Sequence, residues 1–306
     1  MESAIILEEL DIKTFFQEKM DILYSDLDFR RAIFSSPLYK MYGNLAQDRA
    51  GFEKIVGIYI EEAALSVSLL NKVQATKEQV ILEVGGGVGF TYAFLKNKGF
   101  NIYSIEPSDS ESGYDDYFSI GKKVCQILAI NTNNWINCLG KDIAKLGKKF
   151  DIIFSNNVLE HIIELEDTFN ALKSCLTPNG MMIHNTVNYT IPFEPHYGIP
   201  LVPFFPKLTT VFKPHLKKES LWNGLNFITT NSLSKMSNRI DLSIEFERDI
   251  MYNAVNRLIT DEGFKERHPK LIPLAKLLSK TGLINLFKVI PVALTTPIIF
   301  YLKHKD

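Results

Sequence analysis

Residues 79–106 constrain this chain most, because they spell out a β-α-β unit with a ligand site built into its first turn. Gln79-Val80-Ile81-Leu82-Glu83-Val84 reads as a short buried strand, Gly85-Gly86-Gly87-Val88-Gly89 as a tight loop, and the stretch through Tyr92-Ala93-Phe94-Leu95 as a helix. Glycines between a strand and a helix let the backbone turn sharply and let a ligand approach the main chain. The helix behind them offers N–H groups that no preceding turn satisfies. The next strand, Asn101-Ile102-Tyr103-Ser104-Ile105, ends at Glu106, where a carboxylate can accept both hydroxyls of a ribose. This order implies a nucleoside-containing ligand at the carboxyl edge of a parallel sheet.

The alternation continues. A helical stretch spans about 113–130, a weak strand 135–139, a strand 150–154 and a helix about 165–176. Pro178-Asn179-Gly180 turns into a strand at 181–185. Strand and helix in alternation predict an α/β, doubly wound, mostly parallel sheet. Ahead of this core, residues 1–75 read as helical, with apolar residues at helical spacing over 53–70. Behind it, Pro192, Pro195, Pro200, Pro203, Pro206 and Pro214 exclude regular helix or central strand, so 191–230 reads as a long loop. Asn231-Ser232 is the expected N-cap of a short helix through Met236, 242–246 alternates like a strand, and 251–288 is helical with a break near His268-Pro269. The expected segments are therefore a helical extension at 1–75, an α/β core at 76–190, a Pro-rich loop at 191–230, and a C-terminal part at 231–306 with a helical insertion at 251–290.

Composition narrows the class. A formal net charge of -1 gives no overall pull toward nucleic acid, and Lys213 to Lys218 is a single short basic cluster. Cys125, Cys138 and Cys175 form no C-x-x-C pair, so neither a disulfide framework nor a metal centre is expected. With no signal-peptide pattern at Met1-Glu2-Ser3-Ala4-Ile5, the expected location is cytoplasmic. The greasy run 289–302 is short and interrupted by Pro291 and Pro297. It reads as a buried strand over 297–302 rather than a membrane span.

The dinucleotide fingerprint G-x-G-x-x-G needs a glycine at position 90, where this chain has Phe90. Instead, Glu83-Val84-Gly85-Gly86-Gly87-Val88-Gly89 satisfies E-x-G-x-G-x-G, which resembles motif I of the class I S-adenosylmethionine-dependent methyltransferases. Residues 150–161, FDIIFSNNVLEH, resemble that family's fourth strand and the loop after it. Leu176-Thr177-Pro178-Asn179-Gly180 resembles the L-x-P-G-G turn before its fifth strand, with Asn179 in place of the first glycine. The resemblance covers about 79–190, is looser over 225–306, and leaves 1–75 uncovered. It implies a Rossmann-like sheet of seven strands whose antiparallel end comes from the C-terminal part, with S-adenosylmethionine as cofactor. It also implies that Gly85, Gly87 and Gly89 pack on the cofactor and Glu106 holds its ribose. Asp142, with Ile143 nearby, would contact adenine, and Asn156 would line the methionine end. Glu83 either touches the cofactor or orients the loop.

For a hydroxyl acceptor a general base helps, most often histidine. The candidates are His161 and His184, near the ends of the fourth and fifth strands, and His196 in the Pro-rich loop. Glu160-His161 also reads as a helix start. Glu194 and Tyr197, beside His196, are the expected polar contacts to the acceptor, a small molecule or glycan such as a sugar of a surface polysaccharide. A quinone or lipid-like acceptor suits the aromatic loop and the greasy C-terminal region. A non-catalytic binding protein of the same fold and an NAD-dependent oxidoreductase are the rival classes. A homodimer is one use for the helices at 1–75 and 251–288.

Overall fold

The computed structural model describes residues 8–41, 45–108, 117–260, 265 and 271–305. Helices α1 (Glu9–Ser25), α2 (Leu27–Ser35), α3 (Pro37–Met41) and α4 (Arg49–Lys72) precede the first strand. Then β1 (Val80–Val84), α5 (Phe90–Asn97), β2 (Asn101–Ile105), α6 (Tyr117–Ile127), β3 (Trp135–Ile136), β4 (Phe150–Asn156), α7 (Leu165–Cys175) and β5 (Leu176–Thr186) follow the alternation. The Pro-rich stretch holds a small hairpin, β6 (Phe193–Glu194) with β7 (Ile199–Pro200), and two single-turn helices, α8 (Thr209–Phe212) and α9 (Ser220–Asn223). Beyond it lie α10 (Thr230–Arg239), β8 (Leu242–Phe246), α11 (Ile250–Thr260), α12 (Ile272–Lys280) and β9 (Ile298–His304).

The main sheet has seven strands in the order β3-β2-β1-β4-β5-β9-β8. The strands β1 to β5 pair in parallel, and β9 pairs antiparallel with both β5 and β8. Chain order reverses between β1 and β4, which opens a crevice at the carboxyl ends of these strands. Successive strand residues point to opposite faces, so central strands buried on both sides must be continuously apolar. Ile81, Ile102, Ile152 and Ile183 face one way, into a core shared with α1, α2, α4, α5 and α6. Leu82, Ile105, Ile153 and Met182 face the other, into a core shared with α7 and α10. The N-terminal helices are thus built into one face of the sheet, with Phe16 against Phe90 at 4.3 Å and Phe15 against Phe94 at 5.7 Å between ring centroids.

Three local expectations differ from the fold. The fifth strand begins at Leu176 because its pairing with β4 survives the Pro178-Asn179-Gly180 interruption as a register shift. The helix expected to be capped by Asn231-Ser232 starts two residues earlier, at Thr230, and is capped by Thr229. Ser232 N–H donates to Thr229 Oγ1 at 3.1 Å and Thr229 N–H donates to Ser232 Oγ at 2.8 Å, a reciprocal capping box. Leu159–His161, read as a helix start, is a single 3-10 turn, and α7 begins at Leu165 as expected. The expected break at His268-Pro269 and residues 113–116 of the expected sixth helix lie outside the described residues. Among the described residues no helix is long and apolar enough to cross a membrane, and β9 is the buried strand expected near 297–302.

Candidate active site

The glycine loop closes the end of β1. The N–H groups of Gly85 and Gly86 both donate to Ile105 O, at 2.9 and 3.2 Å, which ties the loop to the end of β2. Gly89 caps α5 in the left-handed region, where its missing side chain lets Gly121 of α6 approach. Gly87 differs. Its φ is +54°, and a side chain there would meet no atom within 4 Å. The Gly87 N–H donates to Glu106 Oε2 at 2.8 Å.

Glu106 sits at the end of β2, as expected, and is buried. Burial pushes its carboxyl up to about 8 although the Gly87 N–H pulls the other way. Glu83 lies beneath the loop, where Ser104 Oγ donates to its Oε2 at 2.8 Å, and burial lifts its pKa to about 7. Glu83 therefore joins β1 to β2 under the glycines. Asp142 is in the 3-10 helix Gly140–Leu146 and pairs with Lys145 at 2.6 Å, while Ile143 is fully buried beside Leu82, Val84 and Ile105. Asn156 ends β4. Its Oδ1 accepts from Asn185 Nδ2 at 2.7 Å, and its Nδ2 donates to the Glu62 backbone oxygen and to Glu62 Oε2, each at 3.1 Å. Asn185 Oδ1 is buried and has no partner among the described residues.

A second cluster forms beside Asn156. Glu194, fully buried on β6, contacts His196 Nδ1 at 2.5 Å through Oε1 and accepts from the Tyr189 hydroxyl at 2.5 Å through Oε2. Burial alone would raise the Glu194 carboxyl, but its bonds to His196 and Tyr189 outweigh burial and hold it low. For His196 burial opposes the charge, yet Glu194 overrides it and raises the imidazole. His161 packs edge-on against His196, with ring centroids 4.9 Å apart, and burial lowers its pKa to about 3, so it is neutral at pH 7. Glu160 is fully buried and accepts from Thr186 Oγ1 at 2.7 Å. The turn carrying Glu160 and His161 is clamped by Asn226, whose Nδ2 donates to Leu159 O at 2.6 Å and Ile162 O at 2.8 Å.

The fold thus brings His161, His196 and Glu194 together. His184 does not join them: it lies inside the sheet core, with Nδ1 2.7 Å from Ser155 Oγ and its ring against Phe169 and Phe300. Tyr197 packs on Trp222 within the apolar core of the Pro-rich segment, and its buried hydroxyl has no partner among the described residues. Sequence reasoning missed Glu62, Asn226 and the burial of Glu160. Glu62 is the clearest case, because Asn157 Nδ2 also donates to it at 2.7 Å, so a helix from the N-terminal extension reaches the end of β4. Glu62 lies in an apolar helical run, where a carboxylate on the buried side was the available signal.

A glycine loop and a strand-end carboxylate at the switch point of a parallel sheet define a nucleoside-cofactor enzyme class. A family model described as a methyltransferase domain matches residues 59–243, and the chain belongs to the class I S-adenosylmethionine-dependent methyltransferase family. An uncharacterized protein of Mycobacterium tuberculosis is 29% identical over 197 residues, 61% of this chain and 65% of its own length, so the match spans less than two thirds of that relative. A ubiquinone biosynthesis O-methyltransferase of Rickettsia typhi is 26% identical over 203 residues, 60% of this chain and 76% of its own. Among solved structures, the plantazolicin methyltransferase in complex with a triazolic desmethylPZN analog and S-adenosylhomocysteine gives a TM-score of 0.48 at 13% identity, covering 96% of this chain and 100% of that one. The phosphoethanolamine N-methyltransferase 2 of Haemonchus contortus gives 0.48 at 11% identity, covering 90% of this chain and 61% of that one.

Proposed function

We propose that this chain transfers a methyl group from S-adenosylmethionine to a hydroxyl of a small molecule or glycan. The observation that carries the donor half is the buried Glu106 carboxyl at the end of β2, tied to the Gly87 N–H of the glycine loop, where a Cβ on Gly87 would meet no protein atom. The donor fits the residues present. Glu106 would hold the ribose hydroxyls, Gly85, Gly87 and Gly89 would line its path, and Asp142 with Ile143 would take the adenine. Asn156, beside the unpartnered Asn185 Oδ1, would face the methionine end. S-adenosylmethionine supplies a methyl group already activated on its sulfonium.

What the protein must add is position, exclusion of water and a place for the acceptor proton. His196, backed by Glu194, is the proton acceptor in this reading, and its raised pKa makes it the stronger base of the two histidines. Neutral His161 packs against it and fixes the ring. Glu194 positions His196 and does not itself reach the acceptor. A second reading, a quinone or lipid-like acceptor, is favoured by the rim of the Pro-rich segment, where Phe204 is 93% and Phe212 78% exposed. The relatives named as ubiquinone biosynthesis O-methyltransferases point the same way.

Calorimetric titration with S-adenosylhomocysteine, run against NAD, tests the donor half. Micromolar binding of the former, weakened by Glu106→Ala, is expected. Loss of two hydrogen bonds at about 1 kcal/mol each amounts to about 2 kcal/mol, roughly 30-fold. Binding of NAD instead would overturn the reading. For the acceptor half, His196→Ala should abolish turnover in a screen beginning with nucleotide sugars while leaving S-adenosylhomocysteine affinity unchanged.

A further inference from the structure

We propose that Glu160, His161 and His196 bind one divalent transition-metal ion on the acceptor side of this site. A carboxylate oxygen of Glu160 and one ring nitrogen from each histidine all lie within 4.8 Å of one another. Donors 2.0–2.2 Å from a common ion stand roughly 3 to 4 Å apart, so small side-chain rotations close the set. The two histidines are only partly buried, which leaves an approach for an ion and for an acceptor oxygen.

A second observation points to a ligand independently of that spacing. Glu160 is fully buried, its Oε2 is fixed by Thr186, and its Oε1 has no partner among the described residues. A buried carboxylate oxygen without a donor is costly, and a cation answers it. The electrostatics agree: two fully buried carboxylates, Glu160 and Glu194, and the part-buried Glu62 lie close enough to act on His196. Among the described residues no lysine or arginine forms an ion pair with any of them.

The surroundings are already those of a metal centre. The Glu194 carboxylate on His196 Nδ1 fixes the ring and leaves Nε2 for an ion, the carboxylate–histidine–metal arrangement that holds ligating imidazoles. Tyr189 fixes Glu194, Thr186 fixes Glu160, and Asn226 clamps the turn bearing Glu160 and His161. Two imidazoles and one carboxylate select a borderline ion such as Zn²⁺, Co²⁺ or Fe²⁺ over Mg²⁺ or Ca²⁺. Three protein ligands leave coordination positions for the acceptor hydroxyl, whose acidity would then come from the ion. His196, its lone pair engaged, would then be a ligand instead of the base, and the proton of the ion-acidified hydroxyl would leave to bulk water as the methyl group is transferred. The inference rests on the proposed function only for the identity of that oxygen; the ion site stands on the chain's own donors.

The test titrates the chelator-treated full chain with Co²⁺, followed by visible absorbance and calorimetry, with S-adenosylhomocysteine titrated separately. The expected result is one Co²⁺ per chain at micromolar or tighter affinity, with Zn²⁺ displacing it. His196→Ala should abolish the uptake. Glu194→Gln, which removes only the outer partner, should weaken it about 10–100-fold. Glu160→Gln serves as a second ligand variant, read only where the thermal transition is retained. Absence of stoichiometric Co²⁺ and Zn²⁺ uptake by the unaltered chain, or uptake unchanged in His196→Ala, overturns the metal site. Failure to bind S-adenosylhomocysteine would count against the methyltransferase reading alone.

Discussion

Gly86 and Gly87 are neighbours in the same loop, yet alanine at each should do opposite things. A Cβ on Gly86 would lie 2.2 Å from Ser104 Oγ and 2.5 Å from Trp135 Cζ3. Neither neighbour yields cheaply. Ser104 donates to the buried Glu83, and Trp135 is held by its Nε1–H bond to Phe118 O at 2.9 Å. Overpacking of this kind costs about 1–3 kcal/mol, and freeing Glu83 from its donor costs a further ~1–3 kcal/mol. Gly86→Ala should therefore lose roughly 4 kcal/mol, a fall in Tm of about 8–16 °C at the ~2–4 °C per kcal/mol of a large domain. A Cβ on Gly87 meets nothing, so its cost is the left-handed backbone alone, about 1–2 kcal/mol and a few degrees. That methyl instead enters the space assigned to the donor, and S-adenosylhomocysteine affinity should fall at least about tenfold, the equivalent of one 1.4 kcal/mol contact. Thermal unfolding and calorimetry on both variants read the two effects. Gly87→Ala that binds as the unaltered chain does, or that loses as much stability as Gly86→Ala, would refute the assignment of the open space to the donor.

Three further outcomes follow from the same geometry. Glu83 has a folded-state pKa of about 7 against 4.5 unfolded, so folding favours its protonated form, and the associated stability, full below pH 4.5, is lost as pH rises to 7. Glu83→Gln removes this dependence, so its stability relative to the unaltered chain should rise by about 2–3 kcal/mol from pH 5 to pH 8 in urea unfolding; parallel pH profiles would sink the point. Asn226→Ala removes the side-chain donor to Ile162 O and one of the two donors to Leu159 O, which keeps the Ile162 N–H, and should cost about 1–3 kcal/mol, with turnover falling further than S-adenosylhomocysteine affinity; a Tm within a degree of the unaltered chain would contradict the clamp. Replacing Phe204, Phe205 and Phe212 by serine removes exposed side chains and should leave Tm unchanged. An increase in KM confined to lipid-like acceptors would favour that class, and equal KM for all acceptors would dismiss it.

The core of this chain was legible because its signals are local. A continuously apolar strand, a run of glycines and a helix must follow one another as β1, the loop and α5 whatever surrounds them. Glu106 is placed by nothing more than the end of β2. The alternation of strand and helix determined the doubly wound sheet in the same way, and the buried run near 297–302 emerged as β9. The resemblance in residues 79–190 lies within the stretch that the methyltransferase family model matches. The capping of α10 slipped by two residues because serine and threonine at Thr229 and Ser232 both cap, and only the backbone decides which is first.

His161, His196 and Glu194 were legible as candidates, but their grouping with Glu62 and Glu160 was not, for a different reason. Glu62, Glu160, His161, Glu194 and His196 come from α4, the turn after β4, and the Pro-rich loop, and only packing brings them to one place. No spacing rule links Glu62 to Asn156 and Asn157 across more than ninety residues, nor His161 to His196 across a proline-rich loop. Whether a carboxylate such as Glu160 is solvated or buried with an empty oxygen depends on what covers it, a property of neighbours distant in the chain. The sequence by itself therefore determined the family and the glycine loop with Glu106 at the carboxyl edge of the sheet, because both are written in contiguous residues whose conformations are set by their own backbone and side chains. The tertiary structure alone decided which histidine faces which carboxylate, because burial and charge are properties of a place that several distant segments enclose together.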